Sequence, residues 1–145
     1  MIQITLTAIV FLFLLIISLI DLKTKKVPAF LTTAIILAVA MVNMVDISYG
    51  ILHLGFGVIA FIFAYLLYEL DFIGGVADIK VIVIIGMMLS ELSVFFMFFI
   101  LLMMFGVAYK IIWRYALKKP EGSEIPFIIS LWAGYSILWI NGGLI

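Results

Sequence analysis

Two aspartates are the residues of this sequence whose type and setting most clearly suggest chemistry. Asp21 ends the first apolar run, and Asp78 lies shortly after the glycine pair Gly74 and Gly75. Almost everything around them is apolar. A charged side chain at the centre of a bilayer costs at least about 2.5 kcal/mol on insertion scales, so it usually faces protein or water and usually has a function. The two carboxylates therefore need a chemical explanation.

A pair of carboxylates can divide acid and base roles between two identical groups. When two carboxyl groups meet, repulsion between like charges favours the sharing of one proton. The ionised member can then accept a proton from an attacking water, while the protonated member donates to the substrate oxygen. We interpret Asp21 and Asp78 as one such dyad. The alternative is that each aspartate caps a helix end or pairs with a nearby lysine.

The composition indicates that the chain lies in a membrane. Hydrophobic residues make up 68% and charged residues 11% of the sequence, and the mean hydropathy is +1.46, whereas soluble domains are roughly half apolar and a quarter charged. The formal net charge is zero and the basic residues form no soluble domain, so nucleic-acid binding is not expected. The chain has no cysteine and one histidine, and we expect neither a metal nor a cofactor.

Six apolar runs predict six membrane helices, since a spanning helix needs about 20 apolar residues. The predicted ranges are 2–20, 29–45, 51–68, 79–90, 92–109 and 125–141. Short polar gaps make consecutive helices antiparallel neighbours, so we expect one all-α bundle and a single domain over 1–145. The first run is expected to stay as a helix, because no basic residue precedes Lys23 and no small-residue cleavage site follows it.

The basic residues predict the orientation of this bundle. They follow the first and fifth predicted helices and begin the fourth: Lys23, Lys25, Lys26, Lys80, Lys110, Arg114, Lys118 and Lys119. Because Lys and Arg are retained on the cytoplasmic side, six helices with this pattern leave both termini outside. Asp21 and Asp78 would then share the cytoplasmic face of a multi-pass plasma-membrane protein.

Three short motifs accompany the two aspartates and the start of the sixth run. Asp21 is followed seven residues later by Pro28, in a Val-Pro pair. Residues 75–80 read Gly-Val-Ala-Asp-Ile-Lys, and Pro126 lies in an Ile-Pro-Phe run. In this order, across nearly the whole chain, these motifs resemble those of the type IV prepilin peptidases and archaeal preflagellin peptidases. Ala77 stands where the family signature, Gly-x-Gly-Asp-x-Lys, has its second glycine.

The resemblance implies an intramembrane aspartyl endopeptidase of the Gly-x-Gly-Asp type, with Asp21 and Asp78 as its catalytic residues. Its partners would be pilin-like or archaellin precursors, whose short basic leader peptides it would remove at the cytoplasmic face. Motif residues beside the substrate would be Gly74, Gly75, Ala77, Lys80, Pro28 and Pro126. Alanine at position 77 keeps the close backbone approach and loses only the positive φ that glycine allows. A short form without methyltransferase activity is expected, since the chain lacks the cysteine-rich loop and extra domain of the longer enzymes.

Other polar residues have simpler interpretations. Glu69 and Asp71 share the predicted cytoplasmic loop with Asp78, so they are rival carboxylates, attractors of a basic leader or ordinary solvated residues. Lys80 either sets topology or orients the Asp78 carboxylate. His53 has no second imidazole or thiolate with which to share a metal, and we predict a packing or interfacial role for it.

Two functions from other classes stay open at this stage. A small proton-coupled carrier would also use buried carboxylates, but it predicts acidic groups near the middle of the membrane on several helices and an inverted repeat. In this sequence the candidates cluster at one predicted face and no repeat is visible. A non-catalytic subunit of a secretion or pilus assembly machine would leave both aspartates dispensable.

Overall fold

A computed structural model describes residues 2–24, 26–45, 47–70, 72–73, 75–89, 91–118 and 127–140. Within these ranges all regular structure is helical, which confirms the predicted all-α class. The helices are α1 (Ile2–Thr24), α2 (Ala29–Asn43), α3 (Ile47–Glu69), α4 (Val76–Gly86), α5 (Leu92–Ile111) and α6 (Ile128–Ile140). A π-helical turn, Ile112–Ala116, continues α5.

Each predicted apolar run forms a helix, but two of the predicted ends are wrong near the aspartates. α1 continues past Asp21 and ends at Thr24, whose hydroxyl donates to the Ile20 carbonyl at 2.9 Å and the Lys26 carbonyl at 2.9 Å. α4 begins at Val76 rather than at 79, so Asp78 lies in its first turn. A carboxylate is favourable there, because the N-terminus of a helix carries partial positive charge.

α1 has two apolar stripes, one packed against protein and one facing outward. Leu14 and Ile17 are fully buried, whereas Leu12 and Leu19 are more than half exposed. The buried side lies on α6 in antiparallel fashion: the Tyr135 hydroxyl donates to the Thr7 carbonyl at 3.3 Å. A helix that is apolar on every side is typical of a membrane span.

α4 lies in the interior and packs most extensively on α3. Gly86 makes this approach possible, since a Cβ there would lie 2.5 Å from the Ala60 Cβ and 3.1 Å from the Phe56 carbonyl oxygen. Small residues commonly let membrane helices approach this closely. α4 is short, about 16 Å at 1.5 Å per residue, and most of its side chains are buried.

α2 and α4 run parallel, with their first turns level and their last turns level. At the start, the Lys80 ammonium donates to the Thr33 hydroxyl at 2.8 Å and to the Ala29 carbonyl at 3.4 Å. At the end, the Asn43 amide donates to the Met87 carbonyl at 3.0 Å, which satisfies a backbone acceptor just beyond α4. Hydrogen bonds at both ends therefore fix the register of the pair.

The most extensive backbone contacts fall into two sets of helices: α2, α3 and α4 pack on one another, and α6 packs on both α1 and α5. We call these the α2–α3–α4 group and the α1–α5–α6 group. A smaller contact between α4 and α6 joins the groups, as do ring contacts between α3 and α5, such as Phe63 with Phe99. Asp21 belongs to one group and Asp78 to the other.

Three helices in the described part of the chain are long and apolar enough to cross a bilayer: Thr5–Thr24, Gly50–Glu69 and Leu92–Ala116. Ala29–Asn43 and Ile128–Ile140 are apolar but shorter. With the enclosed α4, these helices form a bundle suited to hydrocarbon surroundings.

Candidate active site

Asp21 lies in the last turn of α1 and is only 8% exposed. Its Oδ2 accepts a hydrogen bond from the Ile128 backbone N–H, at 3.4 Å, in the first turn of α6. One turn earlier, the Ser18 hydroxyl lies 3.4 Å from the Ile128 carbonyl oxygen. The Tyr109 hydroxyl of α5 is close enough to interact electrostatically with the Asp21 carboxylate. The first turn of α6 therefore holds the Asp21 carboxylate.

Asp78 is the third residue of α4 and is 7% exposed. The helix begins after Gly75, whose backbone is extended at φ −156° and ψ 155°, and the Gly75 carbonyl accepts the Asp78 N–H at 3.1 Å. A Cβ on Gly75 would lie 3.8 Å from the Asp78 Oδ2. Glycine at this position therefore adds no side chain next to that oxygen.

The structure places the two aspartates at the same end of the bundle. The parallel register of α2 and α4 puts Asp78 level with the first turn of α2, which follows the end of α1 after a short turn. The residues that precede α4 and α6 also meet at this end of the bundle. The Phe72 ring, just before α4, packs edge-on against the Phe127 ring, just before α6. The next residue, Ile128, is the hydrogen-bond donor to Asp21.

The remaining motif residues have different positions around this end. Pro28 is exposed and precedes the first turn of α2, where its carbonyl accepts the Leu31 N–H at 3.0 Å. Ala77 is half-buried in the first turn of α4. The expectations for Gly74, Asp71 and Pro126 fall outside the described residues.

Lys80 is directed to α2, and both of its hydrogen bonds are made there. Lys80 lies two positions after Asp78, and a helix turns through about 200° over that distance. Lys80 shares its face of α4 with Val76, Ile79 and Val83. These four residues form one wall of an apolar groove of about 440 Å³, whose other walls are Ile36, Phe61, Tyr65 and Tyr68.

Two other polar residues named from the sequence also have defined positions. Glu69 is the exposed last residue of α3. His53 is buried in α3, and within the described residues its Nδ1 has no hydrogen-bond partner. The described residues contain no group of three His, Asp or Glu side chains suited to a metal.

Sequence reasoning did not find three contributors to this end of the bundle. Ile128 acts through its backbone, which its side-chain type does not reveal, and Tyr109 lies far from both aspartates in the chain. Thr33 is one of two adjacent threonines in α2, and only the fold shows which hydroxyl meets Lys80. These contacts therefore could not be predicted from the spacing of the sequence motifs.

This arrangement has the parts that acid–base chemistry requires. Two carboxylates from distant parts of the chain are buried at this end of the bundle, and two carboxyl groups can divide acid and base roles when a substrate lies between them. One of them is held by a backbone N–H and the other faces a glycine. The site can therefore supply an acid and a base to a chain that passes this end of the bundle.

Comparison with known proteins identifies the family. The sequence model of the type IV leader peptidase family matches residues 8–112, a range that includes both Asp21 and Asp78. No curated protein and no solved structure gives a significant match. The match spans well over half of the chain, and the three bilayer-length helices agree with it. The chain is accordingly a membrane protein, and it belongs to the type IV leader peptidase family.

Proposed function

We propose that this leader peptidase is an intramembrane aspartyl endopeptidase whose catalytic dyad is Asp21 and Asp78. The observation that carries the proposal is the placement of two buried carboxylates, 57 positions apart by their numbers, at one end of an otherwise apolar bundle. Burying such groups is costly unless they have partners or a task. Hydrolysis of a peptide bond at a membrane border is such a task.

The reaction needs only these two groups and water. One carboxylate accepts a proton from a water molecule whose oxygen attacks the scissile carbonyl carbon, and the other, as a carboxylic acid, donates its proton to the carbonyl oxygen. The C–N bond of the tetrahedral intermediate breaks as the amide nitrogen takes the proton that the first carboxylate had accepted, while a hydroxyl of the intermediate returns a proton to the second carboxylate. The products are a new carboxyl terminus on the leader and a new amino terminus on the mature protein.

The proposed substrates are pilin-like or archaellin precursors with short basic leaders. A leader of this kind is attracted by acidic residues beside the site, and Glu69 is exposed at the end of α3 next to the segment that leads to Asp78. The apolar segment that follows the leader in such precursors would lie in the bilayer beside the bundle. Its scissile bond then lies at the level of the two aspartates.

The proposed topology has six crossings, both termini outside and the site at the cytoplasmic face. Its support is the distribution of the eight Lys and Arg residues, all of which fall on one side in this arrangement. Substrate leaders are made in the cytoplasm, so this face is also the one where a precursor first meets the enzyme.

Substitution of the dyad tests the proposal directly. Asp21→Asn and Asp78→Asn should each abolish leader removal from a pilin-like precursor in membranes, because one carboxylate cannot be both acid and base. Glu69→Gln and Asp71→Asn are the matched controls and should keep most of the activity. Full activity in either dyad variant, at equal protein level, would end the aspartyl proposal.

A further inference from the structure

The Lys80 side chain links the two parts of the chain that carry the aspartates. Its ammonium donates to Thr33 at 2.8 Å and to the Ala29 carbonyl at 3.4 Å, both in the first turns of α2. Residues 25–28 connect α1 to α2, and the Thr24 hydroxyl donates to the Lys26 carbonyl at 2.9 Å. Asp21 lies one turn before Thr24. A short, hydrogen-bonded path therefore leads from Asp21 to Lys80.

Lys80 and Asp78 both lie on α4, but on opposite faces of the helix. Lys80 shares the groove side of α4 with Val76 and Val83, whereas Asp78 is buried on the side about 200° away. Both hydrogen bonds of Lys80 are made to α2, on the side of α4 away from Asp78, so the contact that could affect the reaction is the one with α2. This geometry favours a positioning role for Lys80 over direct participation in the reaction.

Such a link matters because the aspartates belong to different helix groups. Asp21 is in the α1–α5–α6 group and Asp78 in the α2–α3–α4 group, and the backbone contact between α4 and α6 is small beside the contacts within each group. The α1–α2 turn is the covalent connection between the groups at the end where both aspartates lie. Lys80 ties the far side of this turn to the helix of Asp78.

We infer that Lys80 is a positioning residue of the peptidase: by holding the first turns of α2 against α4, it sets the place of Asp21 relative to Asp78. The inference rests on the proposed function for its catalytic consequence. Catalysis is sensitive to such placement, because an error of about 1 Å in a reacting group can cost on the order of 100-fold in rate. Thr33 is the acceptor through which most of this effect passes, since it makes the shorter hydrogen bond.

The kinetic test uses the full-length protein and a pilin-like precursor. Lys80→Met should lower kcat by about 10-fold or more with little change in KM, and the pH profile of kcat should keep its position. Thr33→Val should give a smaller loss of the same kind, and the double variant should be no worse than Lys80→Met, as expected for residues that act together. Lys80→Arg and Thr33→Ser should recover most of the activity.

Thr32→Val provides the matched control. The Thr32 hydroxyl also donates to the Ala29 carbonyl, at 3.1 Å, but it makes no bond to Lys80. This variant should stay close to wild-type activity. The inference is overturned if Thr33→Val has no effect while Lys80→Met shifts the pH profile, because Lys80 would then act on the dyad through its charge. Additive losses in the double variant would overturn it as well.

A distance measurement tests the link without any assay of activity. The chain has no cysteine, so spin labels can be attached to single cysteines at Leu22 and Val76, both of which are exposed. The distribution of distances between these labels should widen in Lys80→Met and return towards the wild-type width in Lys80→Arg. An unchanged distribution would overturn the positioning role. Activity of Asp21→Asn or Asp78→Asn would instead overturn the proposed function and leave this structural result standing.

Discussion

Gly75 is where a single side chain would change the surroundings of Asp78 most directly. Its backbone is extended, with φ at −156°, which any residue can adopt, so valine is compatible with the fold. A Cβ at this position would lie 3.8 Å from the Asp78 Oδ2, and the two branches of valine would cover that side of the carboxylate. We therefore expect the absence of a side chain to matter here, and not backbone freedom, because the conformation does not require glycine.

Gly75→Val should lower kcat/KM for leader removal by on the order of 10-fold by displacing the substrate backbone from the carboxylate. Gly75→Ala should cost less, since a lone Cβ makes only an ordinary contact. Kinetics on a pilin-like precursor measure the difference, and the thermal midpoint shows that the bundle is intact. Equal activity of the valine variant and the wild type would show that the substrate approaches Asp78 from another side.

At the same scale, residue type indicated the two aspartates as candidate site residues, but it did not predict which residues surround them. Asp21 and Asp78 stand out because charge is rare in this chain, and both are buried at one end of the bundle. The sequence did not show which helix the Lys80 side chain contacts. A lysine two positions after an aspartate can form hydrogen bonds to its own helix or to a neighbouring one. Its bond to Thr33 depends on the packing of α2 on α4.

At the scale of the elements, Gly86 lies at the close contact of α4 with α3. Gly86→Ala should destabilise the protein by about 1–3 kcal/mol, because the new Cβ would lie 2.5 Å from the Ala60 Cβ and the helices must separate. Gly55→Ala in α3 is the matched control, since a Cβ there has nothing within 4 Å. It should be neutral or stabilising by up to about 1 kcal/mol.

Thermal unfolding of the purified protein in detergent checks both variants. A lower midpoint for Gly86→Ala alone supports the close contact of α3 with α4. Equal midpoints for the two variants would mean that the helices at Gly86 are farther apart than the structure shows.

Helices were easier to predict from the sequence than their ends. Six apolar runs gave six helices, because hydrophobic length is a strong signal in a chain of this kind. The ends of α1 and α4 were wrong because the predicted ranges stopped at charged residues, whereas Lys23 and Thr24 remain helical and exposed and Asp78 suits a first turn. Which helices touch was not predictable, since α1 and α6 are neighbours from opposite ends of the sequence.

At the scale of the whole molecule, the proposed topology rests on the positions of the basic residues and can be mapped by labelling. Single cysteines at Thr24 and Gly122 should react with an impermeant thiol reagent from the cytoplasm, and a cysteine at Ser48 should react from outside. The absence of native cysteine removes background labelling. Thr24 and Gly122 on opposite sides of the membrane would contradict the six-crossing arrangement.

The hydrogen bond between Ile128 and Asp21 joins α1 to α6, and a ribosome makes α6 only after α2 to α5. While the chain is still being synthesised, Asp21 is already in the membrane and the residue that holds it does not yet exist. The aspartates come into their final surroundings only when α6 inserts and docks on α1. In the proposed peptidase, a chain without α6 is therefore expected to be inactive. Activity begins when α6 docks on α1.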